Sequence, residues 1–303
     1  MDPGATATLP RSDVYDGSTM ATTLIDAATL RDHLADPEWV VIDCRFQLDL
    51  PASGHAAYRE GHIPGAHYAS LDHDLSAPAS PEGGRHPLPD VRSWSARLST
   101  WGIGADTQVI AYDDQGGVYA SRLWWMLRWI GHTRVAVLDG GMRAWVAANG
   151  PVSIEQPVRR THTDELRVAE VLYPVTTPVV AAFVEGRGEP LIVIDARGPK
   201  RYRGEEEPFD RIGGHVPGAL NRPFSGNLAD DGCFLSAARL RASFQASLSR
   251  FSPPQVVHMC GSGVSACHNL LAMEHAGLTG SRLYVGSWSA WCSDPQRPVA
   301  TGD

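Results

Sequence analysis

Four segments of the first half of the chain recur in the second half, in the same order and at nearly constant spacing. VVIDCR at 40–45 returns as IVIDAR at 192–197, and GHIPGAHY at 61–68 returns as GHVPGALN at 214–221. Two later pairs, IAYDDQGGVYA with VVHMCGSGVSA and LDGGMRAW with YVGSWSAW, are each separated by 146 residues. Ordered repeats of this kind predict a tandem duplication of a unit of roughly 130 residues.

Each copy alternates short apolar runs with helical segments. Three of the short runs are apolar almost throughout and rich in β-branched residues, which is typical of parallel strands covered on both faces. They are Val40–Asp43, Val109–Tyr112 and Val135–Leu138. SRLWWMLRWIG at 121–131 has helical spacing instead, and we expect its apolar residues to be core. The alternation predicts an α/β fold of two doubly wound units, each with a central parallel sheet and a ligand crevice at the carboxyl ends of its strands.

The duplication also predicts the domain boundaries. We assign residues 1–20 to a disordered N-terminal arm, 21–148 to domain 1, 149–168 to a linker and 169–303 to domain 2. The linker segment contains proline and charged residues and has no clear period. The arm lacks the basic and apolar regions of a secretory signal.

Composition argues against several classes of protein. The 303 residues carry a net charge of −8 and no basic cluster, so we do not expect nucleic acid as a partner. No segment has the ~18 consecutive apolar residues of a membrane span. Five cysteines without CxxC spacing suit neither a disulfide framework nor a zinc site. We therefore expect a cytoplasmic protein with no metal and no organic cofactor.

Cys260 lies where an apolar run ends and a glycine-rich loop leads into a helical pattern. Glycines at 261 and 263 permit the tight curvature that points successive N–H groups inward. The helix that follows adds the positive end of its dipole. We therefore predict that Cys260 is largely a thiolate, the nucleophilic form, near neutral pH. The loop alignment puts Asp114 at this position in the first copy, so only the second copy carries the thiol.

A cysteine in such a loop suits two kinds of chemistry. Cysteine phosphatases need an arginine at the sixth position after the cysteine to clamp phosphate oxygens, and that position holds Ala266. Met259 also replaces the usual histidine before the cysteine. A persulfide carries one diffuse negative charge, which inward-facing amides hold without a guanidinium. The loop therefore favours sulfur transfer.

These motifs resemble the two-domain rhodanese-type sulfurtransferases over nearly the whole chain, from about residue 21. GHIPGA, RHPLP at 85–89, LDGG and VIDAR are typical of that family, and CGSGV resembles its mercaptopyruvate branch. Thiosulfate-specific relatives typically carry arginine and lysine directly after the cysteine, where this chain has Gly261 and Ser262. The resemblance thus implies 3-mercaptopyruvate as the sulfur donor, with thiosulfate as the alternative.

The resemblance also implies the residues of the site. Cys260 would carry the persulfide, and Arg197 and Arg201, after the first strand of the second copy, would bind the carboxylate of the donor. The loop that would hold the persulfide consists of Gly261, Ser262, Gly263, Val264 and Ser265. Ser265 stands where the family often has threonine, and the hydroxyl is kept.

His62 and His215 occupy the same place in the repeated GH[IV]PGA motif. Retention of this motif in the copy without a thiol favours a structural turn. The resemblance instead implies that the first-copy histidine approaches the active loop across the interface. His62 and Ser262 are therefore candidates for proton transfer.

The implied partners are a small-molecule sulfur donor and a thiol acceptor, either a small thiol or a thioredoxin-like protein, with cyanide as a test acceptor. The reaction would be a double displacement that releases pyruvate. A non-catalytic persulfide carrier or regulator is the alternative from another class. Neither nucleic acid nor a membrane is expected as a partner.

Overall fold

The computed structural model describes residues 20–158, 171–172 and 174–303. The predicted N-terminal arm, except Met20, and the second part of the predicted linker, from residue 159, lie outside the described residues. Within the described ranges, each half of the chain folds around its own parallel sheet with helices packed against it. This confirms the predicted tandem α/β architecture.

The described part of the first half contains one five-stranded parallel sheet. Its strands are β1 (Leu24–Ile25), β2 (Trp39–Asp43), β3 (His67–Tyr68), β4 (Gln108–Tyr112) and β5 (Val135–Leu138). Its helices are α1 (Ala27–Asp32), α2 (Ala52–Glu60), α3 (Val91–Thr100), α4 (Val118–Trp129) and α5 (Gly141–Ala147). The strands lie in the order β1-β5-β4-β2-β3. Asp26 and Asp90 precede α1 and α3, and their carboxylates accept N–H groups of the first turn.

The described part of the second half contains a four-stranded parallel sheet. Its strands are β6 (Ile192–Asp195), β7 (Leu220–Asn221), β8 (Val256–Met259) and β9 (Arg282–Leu283), in the order β7-β6-β8-β9. Its helices are α6 (Thr177–Val184), α7 (Pro199–Arg203), α8 (Ala237–Leu248), α9 (Ala266–His275) and α10 (Ser287–Trp291). None of the helices within the described ranges combines the length and apolar character that a membrane span requires.

Strand pairing fixes which residues of the two halves are equivalent. Asp43 pairs with Tyr112 in the first sheet, and the matching Asp195 pairs with Met259 in the second. The next residues, Asp113 and Cys260, are therefore counterparts, and each carbonyl accepts an N–H from the helix after the following strand. The alignment that sets Asp114 opposite Cys260 is thus wrong by one residue, because loop similarity is a weaker guide than strand register.

The two halves meet through the helices that follow their interior strands. α4 follows β4, α9 follows β8, and the two helices pack against each other. One apolar cluster includes Leu123 of α4 and Leu270 of α9. His268 of α9 also lies 2.9 Å from the carbonyl oxygen of Gly116, in the loop before α4. Both strand-to-helix loops therefore lie at the interface between the halves.

Candidate active site

The loop after β8 is fixed from one side by α10. The N–H of Cys260 donates to Ser287 Oγ at 3.1 Å, and the Cys260 carbonyl accepts the N–H of Trp288 at 3.0 Å. The Gly261 carbonyl accepts the N–H of Ser289 at 2.8 Å. The Cys260 side chain is buried, with 2% of the residue exposed. The bonds to α10 hold the backbone of the loop in one conformation.

The following loop amides are free to receive a ligand. Within the described residues, the N–H groups of Gly261 through Ser265 donate to no protein acceptor. Most of this loop is buried. Buried N–H groups without an acceptor are costly, and a run of them is a suitable cradle for an anion.

The thiol-free half shows the same cradle in a filled state. The carboxylate of Asp113, the counterpart of Cys260, accepts four backbone N–H groups. The donors are Gln115 at 2.9 Å, Gly117 at 2.8 Å, Tyr119 at 2.8 Å and Ala120 at 3.0 Å. Burial raises the pKa of Asp113, and the four N–H donors oppose that rise because they favour the carboxylate form. This strand-to-helix loop therefore holds an acceptor of negative character in the half where the chain supplies one as a side chain.

A cavity of about 50 Å³ opens beside Cys260 and is formed by both halves. The second half contributes Arg201, Cys260, Gly261, Ser262, Val264 and Ser265. The first half contributes Leu48, Arg85, Val118 and Tyr119. The structure thus brings the predicted loop and Arg201 together, and it adds Arg85, to which the sequence reasoning gave no role. No group of three or more metal-ligating side chains occurs in the described part of the chain.

His86 is the first-half histidine that reaches the loop. Its Nδ1 lies 2.7 Å from Ser262 Oγ, and its Nε2 lies 3.4 Å from Asp72 Oδ1. Burial lowers the pKa of His86 to about 3, and the nearby Arg122 and Arg85 act in the same direction. The Asp72 carboxylate, whose side chain is 37% exposed, does not reverse this lowering. His86 is therefore a neutral imidazole at physiological pH.

The expectation that His62 approaches the loop is corrected by the structure. His62 is fully buried, its ring nitrogens face the carbonyl oxygens of Tyr58 and Glu155, and its ring stacks on Tyr58. His215 repeats the arrangement with Tyr202. These histidines therefore stabilise the turn of the repeated motif. The RHPLP motif contains the interacting histidine, but no spacing in the sequence connects it with a serine 176 residues away.

Arg197 does not line the cavity. Its guanidinium binds Asp195 through Nη2 at 2.7 Å and donates to the Gly214 carbonyl at 2.7 Å. In the thiol-free half, Arg45 makes the same contacts with Asp43 and the Gly61 carbonyl. Only 1% of the Arg197 side chain is exposed. A contact made in both halves is a feature of the repeated unit, which explains why this arginine follows the strand in each copy.

Arg201 and Arg85 both lie beside Gly261. A Cβ at Gly261 would lie 3.3 Å from the Arg201 guanidinium and 3.2 Å from that of Arg85. Arg201 pairs with Glu207 at 2.6 Å, and Arg85 pairs with Asp210 at 2.7 Å. Both side chains remain partly exposed, 18% for Arg201 and 23% for Arg85. Two guanidinium groups, each fixed by a carboxylate and still partly exposed, thus lie next to the loop.

A family model agrees with this two-unit architecture. The model for the rhodanese-like domain matches residues 26–148 and again 180–294. The chain belongs to the rhodanese-like domain family. The two separate matches also confirm the resemblance on which the sequence prediction of a sulfurtransferase depends.

Similar proteins and similar solved structures indicate which sulfurtransferases of the family this chain resembles. The chain is 45% identical to a probable 3-mercaptopyruvate sulfurtransferase of Pseudomonas aeruginosa, over 92% of this chain and 98% of that protein. It is 39% identical to the putative thiosulfate sulfurtransferase SseB of Mycobacterium tuberculosis, over 92% of this chain and 97% of the relative. The crystal structure of SseA from Escherichia coli, described as a 3-mercaptopyruvate sulfotransferase, is similar with a TM-score of 0.72 and 32% identity. That match covers 89% of this chain and 100% of SseA.

Proposed function

We propose that this protein is a sulfurtransferase that takes sulfur from 3-mercaptopyruvate and passes it to a thiol acceptor through a persulfide on Cys260. The observation that carries the proposal is the free amide cradle after Cys260, whose counterpart in the other half holds a carboxylate. A persulfide anion satisfies these donors without a cation in the loop. Cyanide serves as a simple acceptor for measurement.

In the first step, the Cys260 thiolate attacks the sulfur of 3-mercaptopyruvate. The new S–S bond forms as the C–S bond of the donor breaks, and the electron pair goes to the carbon, which leaves as the enolate of pyruvate. The proton of the donor thiol is passed on and ends on that carbon, so that pyruvate and a Cys260 persulfide anion result. In the second step, an acceptor thiolate takes the outer sulfur and Cys260 returns to the thiolate.

Ser262 and His86 are placed to move the proton. Because His86 is neutral, its Nδ1 accepts the hydroxyl proton of Ser262 when Nε2 carries the ring proton toward Asp72. The Ser262 hydroxyl in turn takes the thiol proton of the donor and gives a proton back to the enolate carbon. The proposed proton path therefore uses Ser262 of the second half and His86 of the first, and leaves His62 outside it.

Arg201 and Arg85 are the groups we propose for the carboxylate of the donor. Each keeps its own carboxylate partner, so each guanidinium is held in place before the donor arrives. A hydrogen bond to a charged group contributes about 1.5–3 kcal/mol. This assignment replaces Arg197, which is buried against Asp195, and keeps Arg201.

Thiosulfate is the second candidate donor. The loop itself has no cation, but Arg85 and Arg201 stand beside Gly261 and offer positive charge to a dianion. The name of the Mycobacterium tuberculosis relative also favours testing this donor.

The deciding experiment compares kcat/KM for the two donors, with cyanide as acceptor and Cys260→Ser as the inactive control. We expect a higher value for 3-mercaptopyruvate, pyruvate release in step with sulfur transfer, and one added sulfur atom on Cys260 by mass spectrometry. A higher value for thiosulfate would replace the proposed donor by the second candidate. Absence of a persulfide with either donor would refute the proposed mechanism.

A further inference from the structure

Arg122 is a completely buried arginine at the interface between the halves. It lies in α4 of the thiol-free half, with 0% of the residue exposed. Its guanidinium donates to the carbonyl oxygens of Gly263 at 3.2 Å, His86 at 3.0 Å and Leu75 at 3.3 Å. Its Nε has no hydrogen-bond partner in the described part of the chain. The side chain therefore contacts both the Cys260 loop and the residue that binds Ser262.

Arg122 has no carboxylate partner among the described residues. The other arginines around Cys260 each have one. These pairs are Arg197 with Asp195, Arg201 with Glu207 and Arg85 with Asp210. A buried charge that is not compensated is strongly destabilising, so the position of Arg122 calls for a negative charge nearby.

The other titratable groups near Arg122 do not supply this charge. Burial raises the pKa of Cys267 to about 12, so that thiol stays protonated at neutral pH. His86 is neutral, and Asp72 lies on the opposite ring nitrogen of His86, away from the serine. Burial lowers the pKa of Arg122, and two cysteines oppose this effect: Cys267, which also makes a side-chain hydrogen bond with Arg122, and then Cys260. Because Cys267 stays protonated, Cys260 is the group among the described residues that we consider for the compensating charge.

We propose that Arg122 is the counter-ion of the sulfur anion on Cys260, first of the thiolate and then of the persulfide. Arg122 touches neither the donor nor the reacting sulfur atoms through a hydrogen bond. It acts through its positive charge and through the Gly263 carbonyl that it holds, and is thus a positioning residue for the proposed reaction. The thiol-free half then supplies both the proton-transfer histidine and the charge that balances the persulfide.

The test is the rate of alkylation of Cys260 by iodoacetamide between pH 5 and pH 10, followed on the Cys260 peptide by mass spectrometry. Arg122→Met removes the charge and keeps an apolar chain of similar length. An opposite charge at close range shifts an ionisation by about 1–3 pH units, so the pH of half-maximal alkylation should rise by at least about one unit in this variant. Reactivity at neutral pH should fall about tenfold or more. Arg122→Lys retains the charge and should restore most of the reactivity.

Arg128→Met is the matched control. Arg128 lies on the same helix and also reaches the second half, where it pairs with Glu274 at 3.5 Å. Its replacement should leave the alkylation profile unchanged. An unchanged profile in Arg122→Met, or an equal shift in Arg128→Met, would overturn the proposal and leave Arg122 a structural residue.

A second measurement covers the case in which Arg122→Met does not fold. The proposal rests on the proposed function only in that Cys260 must ionise. An ion pair between Arg122 and the Cys260 thiolate exists only in the folded state, so it stabilises that state at pH values where Cys260 is ionised. The stability difference between the wild type and Cys260→Ala should therefore grow as pH rises toward about 8.5 and disappear as pH falls. A difference independent of pH would refute the proposal. Neither measurement needs turnover, so failure of the wild type to use mercaptopyruvate would refute the proposed function separately.

Discussion

Gly263 should be one of the least replaceable residues of the Cys260 loop. Its φ of +78° lies in the left-handed region, and a Cβ there would stand 2.5 Å from the carbonyl oxygen of Val285. That oxygen belongs to the backbone just before α10, which is itself bonded to the loop, so it has no flexible side chain to move aside. Gly263→Ala therefore carries two costs, the left-handed conformation of an L-residue and a clash with backbone.

Gly65 separates these two costs. Its φ is also +78°, but no atom of the described residues lies within 4 Å of a Cβ built on it. Gly65→Ala should lower the free energy of unfolding by about 1–2 kcal/mol, the conformational cost alone. Gly263→Ala should lower it by about 2–5 kcal/mol, because overpacking adds roughly 1–3 kcal/mol. Only Gly263→Ala should also displace the loop amides and reduce persulfide formation on Cys260.

Equilibrium unfolding in urea measures the two free energies. Mass spectrometry after addition of 3-mercaptopyruvate measures the fraction of Cys260 that carries the extra sulfur. Equal losses of stability in the two variants, together with full persulfide formation in Gly263→Ala, would refute the reasoning that the loop geometry requires glycine at 263.

Three further predictions concern single side chains. His86→Gln should lower kcat/KM by about 10²–10⁴. Because the pKa of His86 is lowered to about 3, the wild-type pH–rate profile should show no step from His86 between pH 5 and 8. A step in that range that disappears in His86→Gln would contradict this prediction. Arg201→Ala and Arg85→Ala should each lower kcat/KM about ten- to a hundredfold, whereas Arg203→Ala, on an exposed pair, should not. Arg197→Ala should lower the free energy of unfolding by about 3–5 kcal/mol and leave KM nearly unchanged. Urea unfolding measures the first quantity and steady-state kinetics the second. A raised KM with wild-type stability would indicate instead that Arg197 binds the substrate.

The duplicated unit divides its roles through one position. Asp113 and Cys260 follow equivalent strands, and each stands at the start of a strand-to-helix loop. In the first half, the carboxylate fills the cradle and makes it a fixed part of the interface. In the second half, the amides of residues 261–265 have no acceptor among the described residues, and we propose that they receive the persulfide anion. The proposed chemistry of Cys260 thus depends on backbone N–H groups that donate to no acceptor in the described part of the chain.

Local pattern was enough to predict the framework. The apolar runs at Val40–Asp43, Val109–Tyr112 and Val135–Leu138 lie in β2, β4 and β5, because burial on both faces of a parallel sheet leaves a continuous apolar signature. The repeated segments predicted two such units. The Cys260 loop was also recognisable, since a cysteine, two glycines and the start of a helix are all neighbours in sequence.

Which side chains surround Cys260 depends on how the two halves pack against each other. Ser262 and His86 are 176 residues apart and belong to different units, and Arg122 contacts Gly263 from 141 residues away. Side chains of this kind leave no periodic trace, because their positions depend on the packing of α4 against α9. Arg197 shows the converse: its residue type and place after a strand suited a substrate ligand, but an aspartate two residues earlier takes its charge inside the unit. Sequence pattern therefore determined the unit and the position of its proposed nucleophile, Cys260. Tertiary packing determined which charged and proton-carrying groups surround it.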